Sequence, residues 1–295
     1  MKSLAGKTAI ISGGAEGIGL SIAKEIGGHG MNVVIADINA EQLERAKESL
    51  EQLDIPVLAV KLDVADSSQW REVAQQATDR FGKIHMLVNN AGVGGAPSPI
   101  DTSTEKDWRW IVEVNLMGVV FGAQTVIPLI KQHGEGGWLI NVASMAGLAP
   151  LPMAGAYSAT KTAVVAMSEC WQGELQGDNI HVSVLCPGFV KTRINHSQRN
   201  KQAQFKSDEN SGKAPKLESA LSDKMQGVID AGAPPELVGK RVVEALSQGE
   251  FYIITHPNFS HAVQTRYKGI TDAFERARSS ALLEDIVDEK IPGFE

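Results

Sequence analysis

The chain has little of what would place it in several common classes. Its 295 residues include two cysteines, Cys170 and Cys186, too few for a disulfide framework and not arranged as C-x-x-C. Each lies in an apolar stretch, so both are expected to be reduced core thiols. The seven histidines include no H-E-x-x-H, and no metal site is expected. Aromatic residues are scarce at 5%. Positive charge is in deficit, with 28 Lys and Arg against 35 Asp and Glu, a net charge of −7. Nucleic-acid binding rests on neutralising phosphates, so this balance offers no footprint for DNA or RNA. Met1 to Lys7 lead directly into a strand-like run, with no signal-peptide h-region. The longest apolar stretch, Ile111 to Ile130, is interrupted by Glu113, Asn115, Gln124 and Pro128. It reads as a buried helix and not as a membrane span. The expectation is a cytoplasmic protein that meets small molecules, with no membrane and no nucleic-acid partner.

What is present is ordinary globular composition, 43% hydrophobic and 21% charged. A chain of this length buries roughly three quarters of its unfolded surface and needs no metal or disulfide staple. Short apolar runs recur at 8–12, 32–36, 57–60, 84–88, 138–142, 180–185 and 251–254. Helical patterns separate them, at 18–26, 40–53, 67–81, 105–131, 155–175 and 235–246. Strands without polar alternation, each divided from the next by a helix, predict an α/β fold. Its parallel sheet would be doubly wound, of about seven strands, with helices on both faces. No repeat or second core is visible, so residues 1–295 are read as a single domain. The polar stretch from Thr192 to about Gly232 predicts a mobile lid. A C-terminal helical extension over about 257–280 carries Phe259, Val263, Tyr267, Ile270 and Phe274 at helical spacing. That stripe must lie on the domain or on a partner subunit.

Between the first run and the first helix stands Ser12-Gly13-Gly14-Ala15-Glu16-Gly17-Ile18-Gly19. Glycines allow close backbone approach, and the helix N-terminus favours phosphate. The strict G-x-G-x-x-G pattern is not met, because Ile22 takes the place of the last glycine. The turn's position after the first strand of a parallel sheet nevertheless points to a dinucleotide held by Gly13, Glu16, Gly17, Ile18 and Gly19. Asp37 follows the second run, eighteen residues past Gly19. A carboxylate there accepts hydrogen bonds from the adenosine ribose and repels a 2′-phosphate. Neither Glu16 nor Ile38 offers an arginine for that phosphate, so the expected cofactor is NAD. As a bland alternative, Asp37 could cap the next helix.

Tyr157 and Lys161 are four apart in a helical segment and share a face. A tyrosine with an unperturbed pKa of about 10 is a poor base. A lysine ammonium within roughly 4–6 Å would bring it down and let it exchange a proton with an alcohol. The pair alone is weak, since a surface aromatic–cation pair looks the same. Ser144 closes the fifth run, thirteen residues before Tyr157, and could hold the substrate oxygen beside it.

With these motifs in order, the chain resembles the short-chain dehydrogenase/reductase family over nearly its whole length. The glycine turn, Asp63-Val64, Asn89-Asn90-Ala91-Gly92, Asn115, Ser144, Tyr157, Lys161, Pro187-Gly188 and Thr192 all stand in the family's sequence. Ser12 replaces the more usual threonine, a conservative change. The resemblance implies a Rossmann-type fold and a catalytic set of Asn115, Ser144, Tyr157 and Lys161. It implies that Lys161 also binds the nicotinamide ribose and that Asn115 holds a proton-relay water. Asp63 and Val64 would contact adenine, and Asn90 the adenosine ribose or neighbouring backbone. Tyr157, Pro187, Gly188 and Val190 would line the cofactor, with Thr192 at the carboxamide. Homodimers or homotetramers are implied as well.

The substrate pocket would be formed by Val93, Met145, Leu151, Met153 and Phe189, with no basic residue outside the lid. That favours a hydrophobic secondary alcohol or its ketone. The segment from Gly249 to Pro257 resembles a long-lid, NAD-type subgroup that includes dehydrogenases of bulky aryl alcohols. Two other readings compete: an NADPH-dependent ketone or 3-oxoacyl reductase, and a catalytically silent NAD-sensing protein. Asp37 with Ile38 argues against the first, and the intact catalytic set against the second.

Overall fold

The computed structural model describes residues 3–206 and 224–287. Seven parallel strands form one sheet in the order β3-β2-β1-β4-β5-β6-β7. They are β1 (Thr8–Ser12), β2 (Asn32–Asp37), β3 (Val57–Lys61), β4 (Met86–Asn89), β5 (Gly137–Val142), β6 (Ile180–Cys186) and β7 (Tyr252–Ile254). The chain leaves β1 toward β2 and later returns to β1's other side as β4. The carboxyl ends of β1 and β4 therefore flank a topological switch point, where ligands of open α/β sheets bind.

Alternation along each strand feeds two cores. Ala9 and Ile11 of β1, Val33 and Ile35 of β2, and Met86 and Val88 of β4 point to one face. There they meet α1 (Gly17–Gly28), α2 (Ala40–Glu51) and α9 (Pro235–Gln248). Ile10, Val34 and Leu87 point to the other. That face is covered by α3 (Ser67–Phe81), α4 (Glu105–Val112), α5 (Gly118–His133) and α7 (Gly155–Leu175). β1, β4 and β5 are buried along their whole length, which is why their sequences show no polar alternation. Local chemistry sets the helix starts: Asn39, Asp66 and Thr104 each accept a backbone N–H as N-cap of α2, α3 and α4.

Two readings change. The expected helix at 105–131 is two helices joined by a π-helical turn at Glu113–Met117, with Asn115 at its centre. The segment Glu105–His133 is long and apolar enough to cross a membrane by composition. Its residues Val119, Ala123, Val126, Ile127 and Ile130 are buried in the protein, as the reading of a buried helix expects. Cys170 is not a core thiol: it lies on the exposed side of α7, whereas Cys186 is buried in β6. The buried residues of α7, among them Lys161, Val164, Val165 and Ser168, mark its inner face, and Cys170 lies off it. Of the expected lid, residues 207–223 lie outside those described, and α8 is described over 224–230.

The chain separates into two compact units, 1–255 and 256–295. The second contains α10 (Ser260–Arg278), which has no buried residue; Tyr267, Ile270 and Phe274 of the apolar stripe are exposed.

At the amino edge of the sheet, His85 is buried; its Nδ1 accepts the Thr8 N–H at 3.2 Å and its Nε2 lies 3.1 Å from Glu135 Oε2. His133 accepts the Glu135 N–H through Nδ1 and bonds the Ile84 carbonyl through Nε2. The ligand atoms of these three side chains lie within 4.8 Å of one another. Both imidazoles are committed to these hydrogen bonds, and the Lys7 and Lys83 ammonium groups face Glu135.

Candidate active site

The turn after β1 takes positive φ at Gly13 and Gly17, 62° and 57°. A Cβ at Gly19 would stand 2.2 Å from the Gly13 carbonyl oxygen and 2.5 Å from Asn90 Nδ2, so α1 packs against its own turn at backbone contact. Glu16 is the N-cap of α1, yet its side chain makes no capping bond. The first N–H groups of α1 thus have no side-chain acceptor and suit an anion. From the β4 side, Asn90 Nδ2 donates to the Ser12 and Gly13 carbonyls, both at 2.9 Å. Ser12 Oγ accepts from the Asn90 and Ala91 N–H groups at 3.1 and 3.2 Å. Of the two expectations for Asn90, its side chain is spent on neighbouring backbone.

Asp37 ends β2 and accepts the N–H of Asn39 at 3.0 Å and of Ala15 at 3.3 Å. It therefore ties β2 to the glycine turn. Burial raises its pKa, opposed by those two backbone donors. The cap of α2 is Asn39, so the helix-capping alternative for Asp37 does not describe its position.

Ser144 leaves β5 and caps the short α6 (Met145–Leu148), its Oγ accepting the Ala146 N–H at 3.1 Å. Its hydroxyl lies close enough to that of Tyr157 to favour the phenolate. Lys161, one turn along α7, is 3% exposed; its Nζ donates to the Val142 carbonyl at 2.8 Å and lies 5.8 Å from the Tyr157 ring centroid. Burial pushes the Lys161 pKa down to about 8, with a small opposing effect of Cys186. Burial raises that of Tyr157, and the Ser144 hydroxyl opposes it. The expectation that the lysine would bring Tyr157 down is thus not met in the protein alone. The reason is desolvation, which disfavours the charged forms of both Tyr157 and Lys161.

Asn115 is fully buried and reciprocally paired with Val93, accepting its N–H at 2.8 Å and donating to its carbonyl at 2.9 Å. A Cβ on Gly92 would stand 3.4 Å from both Asn115 Oδ1 and Lys161 Nζ, so the three close on one point. Sequence reasoning missed what fixes α7 there. Asn89 Nδ2 donates to Asn141 Oδ1 at 2.9 Å, and Asn141 Nδ2 to Ser168 Oγ at 3.0 Å. This buried chain links β4, β5 and α7. The signal in the sequence was asparagine inside two otherwise apolar strands.

A cleft beside Tyr157 is walled by Ile100, Trp108, Ile111, Leu151 and Met153, with Asp107 at its side. Two of the five predicted pocket residues, Leu151 and Met153, line it. Val93 and Met145 are buried, and Phe189 lies outside the lining. Trp108 and Ile111 went unrecognised because the helical spacing of α4 marks core and cleft positions alike. Met153 has φ +66°, a left-handed backbone held by the Ser98 N–H on its carbonyl at 2.9 Å.

Past β6, Pro187 accepts the Met145 N–H at 2.8 Å, Gly188 N–H donates to Thr255 at 3.4 Å, and Val190 is buried. Thr192 Cγ2 lies 3.2 Å from where a Gly17 Cβ would be. Arg193 and Arg199 both reach Glu16, and Arg199 also acts electrostatically on Asp37. The sequence near the turn offers no arginine; the fold brings two from 177 and 183 residues away. Gln202 Nε2 donates to both carboxylate oxygens of Asp63 at 2.9 Å, while Val64 is buried beside it.

The short chain dehydrogenase family model matches residues 7–203. This chain belongs to the short-chain dehydrogenase family. It is 34% identical to the CLA biosynthesis dehydrogenase/reductase of Lactiplantibacillus plantarum, over 92% of this chain and 95% of that protein. It is 30% identical to the C alpha-dehydrogenase of Sphingobium sp. (strain NBRC 103272 / SYK-6), over 92% and 88%. A short chain dehydrogenase/reductase from Burkholderia phymatum, solved in complex with NAD, superposes with a TM-score of 0.88 at 32% identity, covering 92% of this chain and 96% of that one. The protein is therefore an oxidoreductase of a family that uses nicotinamide cofactors.

Proposed function

We propose that this short-chain dehydrogenase moves a hydride between NAD and a hydrophobic secondary alcohol or its ketone. The observation that carries the reading is the grouping of Ser144 and Lys161 around Tyr157, which itself lines an apolar cleft. The glycine turn fits a dinucleotide: its positive-φ glycines and uncapped α1 would cradle the pyrophosphate. Asp37 would take the adenosine ribose and disfavour a 2′-phosphate. Bound NAD supplies the hydride acceptor for oxidation and NADH the donor for reduction.

The chain's own residues do the rest. Ser144 holds the substrate oxygen and Tyr157 takes its proton, returning it in the reverse direction. Lys161 is buried without a carboxylate partner among the described residues; its Nζ is held by the Val142 carbonyl, 5.8 Å from the Tyr157 ring centroid, from where it would reach the nicotinamide ribose and favour the Tyr157 phenolate. Asn115 sets the loop after β4 against Lys161. Trp108 offers an aromatic wall, which suits a bulky aryl alcohol. We further propose the expected homo-oligomer, a cytoplasmic setting, and a single oxidoreductase domain whose lid begins at Thr192.

Paired titrations with NADH and NADPH, read by nicotinamide fluorescence, test the cofactor. Preference for NADH supports Asp37 as the discriminator; preference for NADPH refutes it and directs the search to ketone and 3-oxoacyl reduction. A screen of secondary aryl and alicyclic alcohols with NAD then tests the chemistry. No turnover of any alcohol or ketone, with NADH still bound, would favour an NAD sensor.

A further inference from the structure

The segment from Arg193 to Gln202 crosses the carboxyl edge of the sheet and is pinned at both ends to the cofactor side. Arg193 and Arg199 hold the two oxygens of Glu16 at the glycine turn. Ser197 Oγ accepts the Gly94 N–H at 3.1 Å. Gln202 Nε2 then takes both oxygens of Asp63. Lys201 and Gln202 have extended backbones, φ/ψ −70°/122° and −64°/151°, so their side chains diverge. Lys201 is buried over the Trp110 ring at 5.1 Å and pairs with Asp107, which lines the substrate cleft. Gln202 faces the other way.

Where Gln202 points is decided by the sheet. With pyrophosphate at α1 and ribose at Asp37 on β2, the adenine must lie beyond β2 toward β3. The strand order puts β3 at that edge, and Asp63 follows β3. A primary amide placed 2.9 Å from both oxygens of Asp63, with the Ala65 N–H already on Oδ1 at 3.0 Å, stands where an exocyclic amine would have to approach the carboxylate and so competes with it. The other end of the same amide, Gln202 Oε1, is buried without a hydrogen-bond partner among the described residues. The anchor is therefore half-satisfied, as suits a contact that is made and released.

We propose that Gln202 is a latch: its amide occupies the adenine-recognising carboxylate Asp63 in the free protein, and the dinucleotide must displace it. The inference rests on the cofactor placement proposed above. Because Lys201 is its neighbour, release of Gln202 also frees the Lys201–Asp107 pair at the wall of the substrate cleft. A latched fraction lowers apparent affinity in proportion to its population, without touching the intrinsic contacts.

The test is stopped-flow NADH binding to the full-length protein, as wild type, Gln202→Leu and Gln202→Glu. Leucine cannot donate to Asp63, and glutamate is repelled by it. Both variants should bind NADH faster and roughly fivefold more tightly, the effect of one charge-assisted hydrogen bond offset by its unpaired end. Reduced nicotinamide mononucleotide, which has no adenine, should bind wild type and Gln202→Leu alike. Unchanged or weaker NADH binding in both variants overturns the latch, as does an equal gain for the mononucleotide. If the folded wild type binds no dinucleotide at all, the cofactor placement fails first and the latch with it.

Discussion

Gly19→Ala isolates the role of the glycine turn in a single methyl group. The added Cβ would lie 2.2 Å from the Gly13 oxygen, 2.9 Å from its carbon and 2.5 Å from Asn90 Nδ2. None of these neighbours is the free end of a flexible side chain. Asn90 Nδ2 is held by two carbonyls at 2.9 Å, and Gly13 is fixed by its φ of +62°. Restoring ordinary contact needs a displacement of about 1 Å, and overpacking of this kind costs about 1–3 kcal/mol. Some of that strain shifts the turn away from α1, where the pyrophosphate would sit. NADH affinity should fall about 10- to 100-fold, with the melting temperature lowered by only a few degrees. Gly28→Ala is the control: its Cβ meets nothing within 4 Å, at the end of the same helix. Fluorescence titration of both variants beside a thermal melt is the assay. Wild-type NADH affinity in Gly19→Ala would refute the idea that the turn is packed to its limit around the cofactor.

Other outcomes follow from the same geometry. Tyr157→Phe should lower kcat about 10²- to 10⁴-fold while NADH still binds, because it removes the proton acceptor and leaves the glycine turn and Asp37 in place; an unchanged kcat would remove Tyr157 from the chemistry. Asn141→Leu leaves Asn89 and Ser168 buried without their shared partner, and should cost about 2–4 kcal/mol in denaturant unfolding. The His85 pKa is lowered by burial from its ordinary 6.5, so the unfolded chain takes up that proton first. Its contribution to stability is complete above pH 6.5 and is lost as pH falls from there through the lowered folded value. Glu135, Lys7, Lys83 and His133 surround the ring. Melting temperatures at pH 7.5, 6.5 and 5.5 should therefore decline, with a shallower slope in His85→Gln; a flat wild-type profile would contradict this. Met153→Gly should relieve the left-handed backbone and stabilise the fold by a fraction of a kcal/mol to about 1, while raising KM by loosening the cleft wall.

The sequence by itself determined the strands, their parallel packing and the family. Apolar runs without alternation can only be buried on both faces, and α1, α3 and α7 lie where the periodicity puts them. Ser144, Tyr157 and Lys161 were legible because helix spacing and strand ends are local properties. The Glu113–Met117 π-turn was not, since one extra residue in a helical turn leaves no mark on an apolar pattern. Tertiary structure alone decided the electrostatics. Whether Tyr157 is pulled down by Lys161 or pushed up by burial depends on packing from β5, α6 and α7 together. It also decided which side chains meet across long separations: Arg199 at Glu16, Gln202 at Asp63, and Asn89 through Asn141 to Ser168. Such pairings carry no period and no spacing rule, because their geometry is fixed only once the sheet has ordered its strands.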